Sequence, residues 1–422
     1  MQSYNEVGTN WAENLKYSAK NICFPANEDE LRMLVKQIKS GKVLGSRHSF
    51  NNIADTVDTL ISTEYMNQVI GIDENKSLVW VESGIKYGTL GIYLEKKGFA
   101  LHNLASLPHI SIGGAIATAT HGSGDANGNL ATAVEALEIM KSDGSVVKLN
   151  KQNSDFFGSV VNLGALGIVT KIALSIQPTY QVTQELFENL PMSELEHHFD
   201  EIFQAGYSVS MFTNWLDKKI DQVWIKKRVD KDKPFKKIEN FFGATPAKSN
   251  LHPIKSNSAI NCTDQMAEAG PWYERLPHFK MDFTPSNGAE LQSEFFIPRK
   301  HAFKAIMEVE SLHELIFPSL FITEIRSIAA DELWLSPSYK QDMIAIHFTW
   351  KPDTEKVMQI ISKIEEKLKP FNFIPHWGKL FTISGYEIQS RYPKFKDFIN
   401  LAKSMDPEGK WKNDFLNRTI YA

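Results

Sequence analysis

The strongest chemical pattern in this chain is a pair of short apolar runs that carry polar side chains at alternate positions. In FITEIRS, Glu324 and Arg326 stand two residues apart, and in MIAIHFTW so do His347 and Thr349. Side chains along a strand alternate between its faces, so each pair shares a face, and if the strands pair, four polar groups converge. Apolar Phe321, Ile325, Phe348 and Trp350 flank them, as in a polar pocket set in a dry wall. The same pattern also suits an ion pair and a partly buried histidine on a wet sheet face. His376-Trp377-Gly378-Lys379 adds a lysine that would become a general base in an apolar pocket or beside an arginine; taken alone, the four residues fit an ordinary surface lysine. His48 follows an apolar strand among small residues, which suits either a hydrogen-bonded side chain or a nucleophile that anchors a cofactor.

Two further runs, VLGSRHSF at 43–50 and ASLPHISIGGAIATATHGSG at 105–124, crowd Gly, Ser and Thr together. Small residues let backbone approach a ligand and leave amide N–H groups free for oxyanions, although two Gly-rich turns would look the same. The second run has no lysine, which argues against a nucleoside triphosphate with magnesium and leaves a pyrophosphate as the candidate. Gly122, Gly124 and Gly128 are spaced GxGxxxG with no strand directly before them, so a Rossmann fingerprint is rejected. His197 and His198 are adjacent on an expected helix and cannot face one ion, so no metal site is expected.

These residues need elements to hold them. Residues 27–41 predict a helix capped by Asn27, with Glu28 and Glu30 near its positive end, and KVLGS predicts a strand. Two β-like runs follow around the turn DENK, then a helix over YGTLGIYLEKKG. VEALEIMKSDGSVVKLN reads as strand, Asp-Gly turn, strand, and a further strand precedes Pro178, where a first domain ends. Beyond it, SELEHHFDEIFQA predicts one amphipathic helix and KKRVDKDKPFKK an exposed charged hairpin or loop. Residues 243–288 lack periodicity yet hold Trp272, Tyr273 and Phe279, which predicts a loop packed over the protein. LQSEFFIP, FITEIRS and MIAIHFTW then alternate with helices over HAFKAIMEVESLH and VMQIISKIEEKLKPF, as in an antiparallel sheet with helices on one face. The final segment ends with a helix and an aromatic tail.

Composition narrows the classes. The 422 residues are 42% hydrophobic and 23% charged, an ordinary globular balance of roughly two to three domains. Lys plus Arg number 46 against 50 Asp plus Glu, and the net charge of −4 argues against a general nucleic-acid or anionic-membrane binder. Cys23 and Cys262 are too few for a disulfide framework and too far apart for a CxxC site, and the N-terminus shows neither signal nor anchor, so a cytoplasmic protein is expected. The uncharged stretch from Gly98 to Ser123 is long enough to span a bilayer, but His102, Asn103, Pro108 and His109 make it too polar. Glycosylation patterns at Asn261 and Asn417 are read as chance.

The runs TNWAENLKYSAK, VLGSRHSFNNIAD, HNLASLPHISIGGAIATATHGSG, ELQSEFFIPR, ITEIRSIAADELWLSP, AIHFTWKP and HWGK span nearly the whole chain. In them the sequence resembles the flavin-dependent oxidases of the vanillyl-alcohol oxidase type, and within these the alditol (xylitol) oxidase branch. HWGK and GGxxxxxxHG recur in related sugar-lactone oxidases, whereas EIRSIAADELWLSP and LASLPHIS are particular to the polyol branch. The resemblance implies an α+β, two-domain flavoprotein: an FAD-binding domain over 1–179, a substrate (cap) domain with an antiparallel sheet over 180–375, and a C-terminal segment, 376–422, that returns to the first domain.

It further implies FAD joined covalently to His48, with Leu44, Gly45, Ser46, Arg47, Ser49, Ser106, Ser111, Gly113, Gly114, Thr118, Thr120, His121, Gly122 and Ile168 around the cofactor. Arg47 stands where the family pattern GSGHS has glycine. Ser106, Glu324, Arg326, His347, Thr349 and Lys379 should face the substrate, Lys379 with His347 removing a hydroxyl proton and Arg326 stabilising the reduced flavin. The implied reaction takes the terminal alcohol of xylitol or sorbitol to the aldose and O2 to hydrogen peroxide. The alternative is an aldonolactone oxidase or dehydrogenase acting on gulono-, galactono- or arabinonolactone, with O2 or another acceptor. A small polyol and O2 are the implied partners of a monomer, with no nucleic acid, membrane or metal.

Overall fold

The alternation read in the two polar runs builds the centre of the molecule, described from a computed structural model for residues 1–229, 236–282 and 289–422. In the strands Leu320–Ile328 and Met343–Trp350, Ile325, Ile344, Ile346, Phe348 and Trp350 enter one hydrophobic cluster. There they pack with Ile306 and Val309 of the helix Ala302–Glu310 and with Ile360, Ile361 and Ile364 of the helix Thr354–Leu368. The intervening Glu324, Arg326, His347 and Thr349 face the other way. The two strands pair antiparallel, with Glu324 opposite His347 and Ile322 opposite Thr349.

They sit in a nine-stranded antiparallel sheet. Its long members run in the order Gln181–Pro191, Lys219–Arg228, Ser208–Thr213, Leu320–Ile328, Met343–Trp350 and Leu291–Pro298, and Thr245–Pro246, Gly270–Pro271 and Ile374–Pro375 complete it. Three smaller sheets lie before it in the chain, one of them only the pair Phe99–Ala100 and Gln177–Pro178. Asn27 accepts a hydrogen bond from the Glu30 amide and starts the helix Glu28–Gln37. The strands Asn21–Phe24 and Gly41–Leu44 flank Thr59–Ser62, both parallel to it. The second is a five-stranded antiparallel sheet, Val69–Asp73, Leu78–Glu82, Ile168–Ser175, Val134–Met140 and Val146–Asn150, whose last two strands turn at Gly144 with φ +81°. One large hydrophobic cluster joins this sheet to the C-terminal helices, and another lies behind the nine-stranded sheet. The fold is thus α+β in two parts.

Some expectations differ. Residues 193–205 form two short helices, Glu194–His197 and Phe199–Phe203, because His198 leaves the helical region at φ −127° and ψ 24°. Lys226, Lys227 and Arg228 finish a long strand, with Lys226 only 1% exposed, while 230–235 of that run lie outside the described residues. The irregular stretch after Gly243 buries Trp272 fully and Tyr273 and Phe279 in part, and 283–288 lie outside the description. The C-terminal segment holds three helices, Gly385–Ser390, Phe395–Met405 and Asp414–Thr419. Both cysteines are buried and free.

Candidate active site

The strand Gly41–Leu44 runs into Gly45-Ser46-Arg47-His48-Ser49, which lies against the short helix Ile112–Ala117. Two serines tie them reciprocally: the Ser111 amide donates to Ser46 Oγ at 2.9 Å and the Ser46 amide to Ser111 Oγ at 3.3 Å. A Cβ on Gly45 would lie 2.3 Å from Ser111 Oγ, and one on Gly113 2.9 Å from the Ser83 carbonyl oxygen, so the close approach needs glycine. Among the described residues the amides of His48, Ser49 and Gly114 make no hydrogen bond, which leaves donors for a ligand.

Leu44, Gly45, Ser46, Arg47, His48, Ser49, Ser106, Ser111, Gly113, Gly114, Thr118, Thr120 and His121 line one cavity of about 720 Å³. Gly122 and Ile168 do not reach it. Strand alternation turns Ile168 into a separate cluster with Met140 and Trp411, and its neighbours Gly167 and Val169 line the wall instead. Gly122 packs against the Leu104 carbonyl and the Asn103 side chain. Arg47 has the left-handed φ of +63° that favours glycine. Its guanidinium turns toward the N-terminal segment, donating to the Val7 carbonyl at 2.7 Å and the Thr9 carbonyl at 3.1 Å and lying 5.4 Å from the Tyr17 ring centre.

The ring of His48 stacks on Trp11, with centroids 5.4 Å apart and planes 16° apart. Neither ring nitrogen has a hydrogen-bond partner of good geometry. Burial lowers its pKa to about 4, against a weaker upward pull from the Ser46 carbonyl, so the imidazole is neutral with a lone pair to offer. An uncharged cradle of small residues, unpaired amides and an orphaned buried imidazole fit a flavin dinucleotide held there.

Facing the cradle across the same cavity are Glu324, Arg326, His347, Thr349 and Lys379. A carboxylate the sequence reading did not single out, Glu294, ties this wall together. Its Oε1 accepts from Arg326 at 2.8 Å and meets His121 Nε2 at 3.1 Å, and its Oε2 accepts from Lys379 Nζ at 2.8 Å. Burial pushes the Glu294 pKa up, but Lys379, His121 and Arg326 together hold it well below the usual carboxylate range. Lys379 is lowered chiefly by burial, with Glu294 pulling the other way. Glu324 feels the same upward push from burial and is held below the usual range by Arg326 and His278.

Local structure fixes the remaining groups. Asn51 Nδ2 donates to the carbonyls of Trp377 and Lys379, and the Phe50 amide donates to the Gly378 carbonyl, so the loop that carries Lys379 is fastened to the loop that carries His48. Gln292 Nε2 donates to Glu290, which leaves its Oε1 to accept from His347 Nε2 at 3.1 Å. His347 is held well below its ordinary pKa by burial and by Lys379, so it is neutral with its proton on Nε2. Ser106 Oγ meets Arg326 Nη1 at 3.4 Å. Gln292 and Glu294 were legible, since they alternate with Leu291, Ser293 and Phe295 on one strand, with Glu290 just before it. His278, 2.8 Å from Glu324, lies in the irregular stretch and gave no local signal.

Comparisons with known proteins bear on the same regions. The family described as FAD binding domain matches residues 19–150, and the family described as D-arabinono-1,4-lactone oxidase matches 285–419. The chain is 44% identical to an alditol oxidase of a Streptomyces species over 97% of each sequence. It is 25% identical to L-gulonolactone oxidase of Mus musculus over 98% of each, and 25% identical to L-gulono-1,4-lactone dehydrogenase of Mycobacterium tuberculosis over 98% of this chain and 99% of that one. A solved cholesterol oxidase from B. sterolicum superposes with a TM-score of 0.80 over 99% of this chain and 97% of its own, at 14% identity, which is a likeness of fold.

Proposed function

We propose, from the premise that this chain belongs to the alditol oxidase family of vanillyl-alcohol-oxidase-type FAD-linked oxidoreductases, that it oxidises the terminal primary alcohol of alditols such as xylitol and sorbitol to the aldose, reducing O2 to hydrogen peroxide. What supports this most is one cavity shared by the small-residue cradle and the wall of Glu324, Arg326, His347, Thr349 and Lys379. Residues 1–179 form the cofactor domain in this reading, 180–375 the substrate domain, and 376–422 return Lys379 to the seam. His48 is the covalent attachment point, supported by its two unpartnered nitrogens and its neutral ring. One chain supplies every group named here, so a monomer suffices, and the cytoplasm is the compartment this reading assigns.

When bound, FAD supplies a two-electron acceptor that takes hydrogen with its electron pair from the alcohol carbon and passes the electrons to O2. The unpaired amides of His48, Ser49 and Gly114 would hold it, with the hydroxyls of Ser46 and Ser111 beside them and Gly113 leaving room for its approach. Lys379 Nζ, in its neutral form, takes the hydroxyl proton, and Glu294 at 2.8 Å steadies the ammonium as it forms. The His347 lone pair on Nδ1 is left to orient that hydroxyl, because Gln292 occupies Nε2. Arg326 places a fixed cation in the buried wall of the cavity, where it can stabilise negative charge that develops beside it. Glu324, Thr349 and Ser106 bind the remaining hydroxyls.

The match of 285–419 to D-arabinono-1,4-lactone oxidase favours aldonolactone oxidation as the second reading. Oxygen uptake and peroxide release separate the two: the proposal expects both with xylitol or sorbitol and little with gulono-1,4-lactone, and the reverse preference would overturn it. Flavin colour retained in the pellet after acid precipitation is expected for wild type and lost in His48→Ala; a colourless wild-type pellet would rule out the covalent link.

A further inference from the structure

Behind the substrate wall lies a buried lysine that the reaction does not use. Lys226 Nζ reaches three acceptors, the carbonyls of Leu276 at 2.5 Å and Pro277 at 3.0 Å and His278 Nδ1 at 3.2 Å. Burial lowers the Lys226 pKa to about 7, whereas Glu324 is held ionised and can only accept a hydrogen bond. Nδ1 of His278 is therefore the accepting nitrogen, and the ring proton sits on Nε2, which donates to Glu324 Oε1 at 2.8 Å. The ring is held edge-on between Trp224 and Phe212, at 5.1 and 5.6 Å between centroids, and the His278 amide donates to the Ser106 carbonyl at 3.0 Å. Turning the ring over would set its carbons, Cδ2 and Cε1, against Lys226 and Glu324 and lose both hydrogen bonds.

We infer that Lys226 and His278 are positioning residues that fix Glu324 as a hydrogen-bond acceptor toward the cavity, and so make the enzyme select substrates that present a hydroxyl there. The inference rests on the polyol reading above. Among the described residues only His278 hydrogen-bonds this carboxylate, through Oε1, and Arg326 Nε stands 3.6 Å from that same oxygen. Oε2 is thus the oxygen left for a substrate hydroxyl. A substrate that lacks this hydroxyl strands a buried acceptor, which is the stronger form of discrimination.

The test compares wild type, His278→Leu, His278→Gln and Lys226→Met on xylitol and its monodeoxy derivatives, with the flavin spectrum and melting temperature recorded for each. Glutamine can replace both ring functions, its amide N–H donating to Glu324 and its carbonyl accepting from Lys226. His278→Leu is expected to raise the xylitol KM about tenfold with kcat changed far less, and to level the preference for xylitol over one deoxy derivative; His278→Gln restores both. A leucine variant with wild-type KM and preference, or a glutamine variant as impaired as leucine, would overturn the inference. If the leucine variant does not fold, unchanged discrimination in Lys226→Met overturns it instead. Should wild type turn over gulono-1,4-lactone and no alditol, the polyol reading fails, and the same KM comparison on the lactone judges the relay separately.

Discussion

Glu294 lies between two cations and a histidine, and its removal separates the roles of the residues around it. Lys379 is the base in the proposed reading, and burial sets its pKa below the ordinary lysine value. Its neutral form is the active one, so kcat/KM should rise with pH through that lowered pKa and level off above it. Lys379→Met should lose roughly 10²–10⁴-fold in kcat while keeping flavin, and should lose the rising limb as well. A methionine variant that keeps the limb would move the base elsewhere. Glu294→Gln removes the charge that pulls the Lys379 pKa upward, so the limb should shift to lower pH in the same profile. The change also leaves Arg326 short of a partner, and thermal or denaturant unfolding should register a loss of about 3–5 kcal/mol. At this scale the sequence was legible where alternation is strict: Glu324, Arg326, His347 and Thr349 could be set on one face in advance. Glu294 obeyed the same rule and was passed over because carboxylates on strands are common. His278 depends on chain folding far from Glu324 in sequence, which no local pattern records.

Elements set these residues in place by close approach. The loop after Gly41–Leu44 and the helix Ile112–Ala117 meet through Gly45, Ser46 and Ser111, so Gly45→Ala must push Ser111 away and break the paired serine contacts. The expected result is a lower ratio of flavin to protein absorbance after purification, with the large sheet intact by circular dichroism. Asn27→Ala, by contrast, removes one capping hydrogen bond remote from the cavity. It should cost about 1 kcal/mol in unfolding free energy and leave turnover unchanged, as paired melting and oxygen-uptake measurements would show. Helix caps, the Asp-Gly hairpin and the alternating strands were all readable, because each is decided within a few residues. The break at His198 and the burial of Lys226 were not, since both are decided by what packs against them.

At the scale of the whole molecule, the nine-stranded sheet gives one face to its helices and the other to the cavity, and the smaller sheets bring the cradle up to that polar face. The C-terminal segment closes the arrangement: Asn413 Nδ2 donates to the carbonyls of Asn52, Ile53 and Asp55, close in sequence to the loop that also fastens Lys379. The cavity is lined from both parts of the chain, and in the proposed reading cofactor and alcohol meet there. Anaerobic titration of the purified protein with xylitol, followed by flavin absorbance, tests that meeting most directly. The account predicts that xylitol bleaches the flavin in wild type and fails to do so at a comparable rate in Lys379→Met. A wild-type flavin that stays oxidised under xylitol, yet is bleached by an aldonolactone, would contradict it.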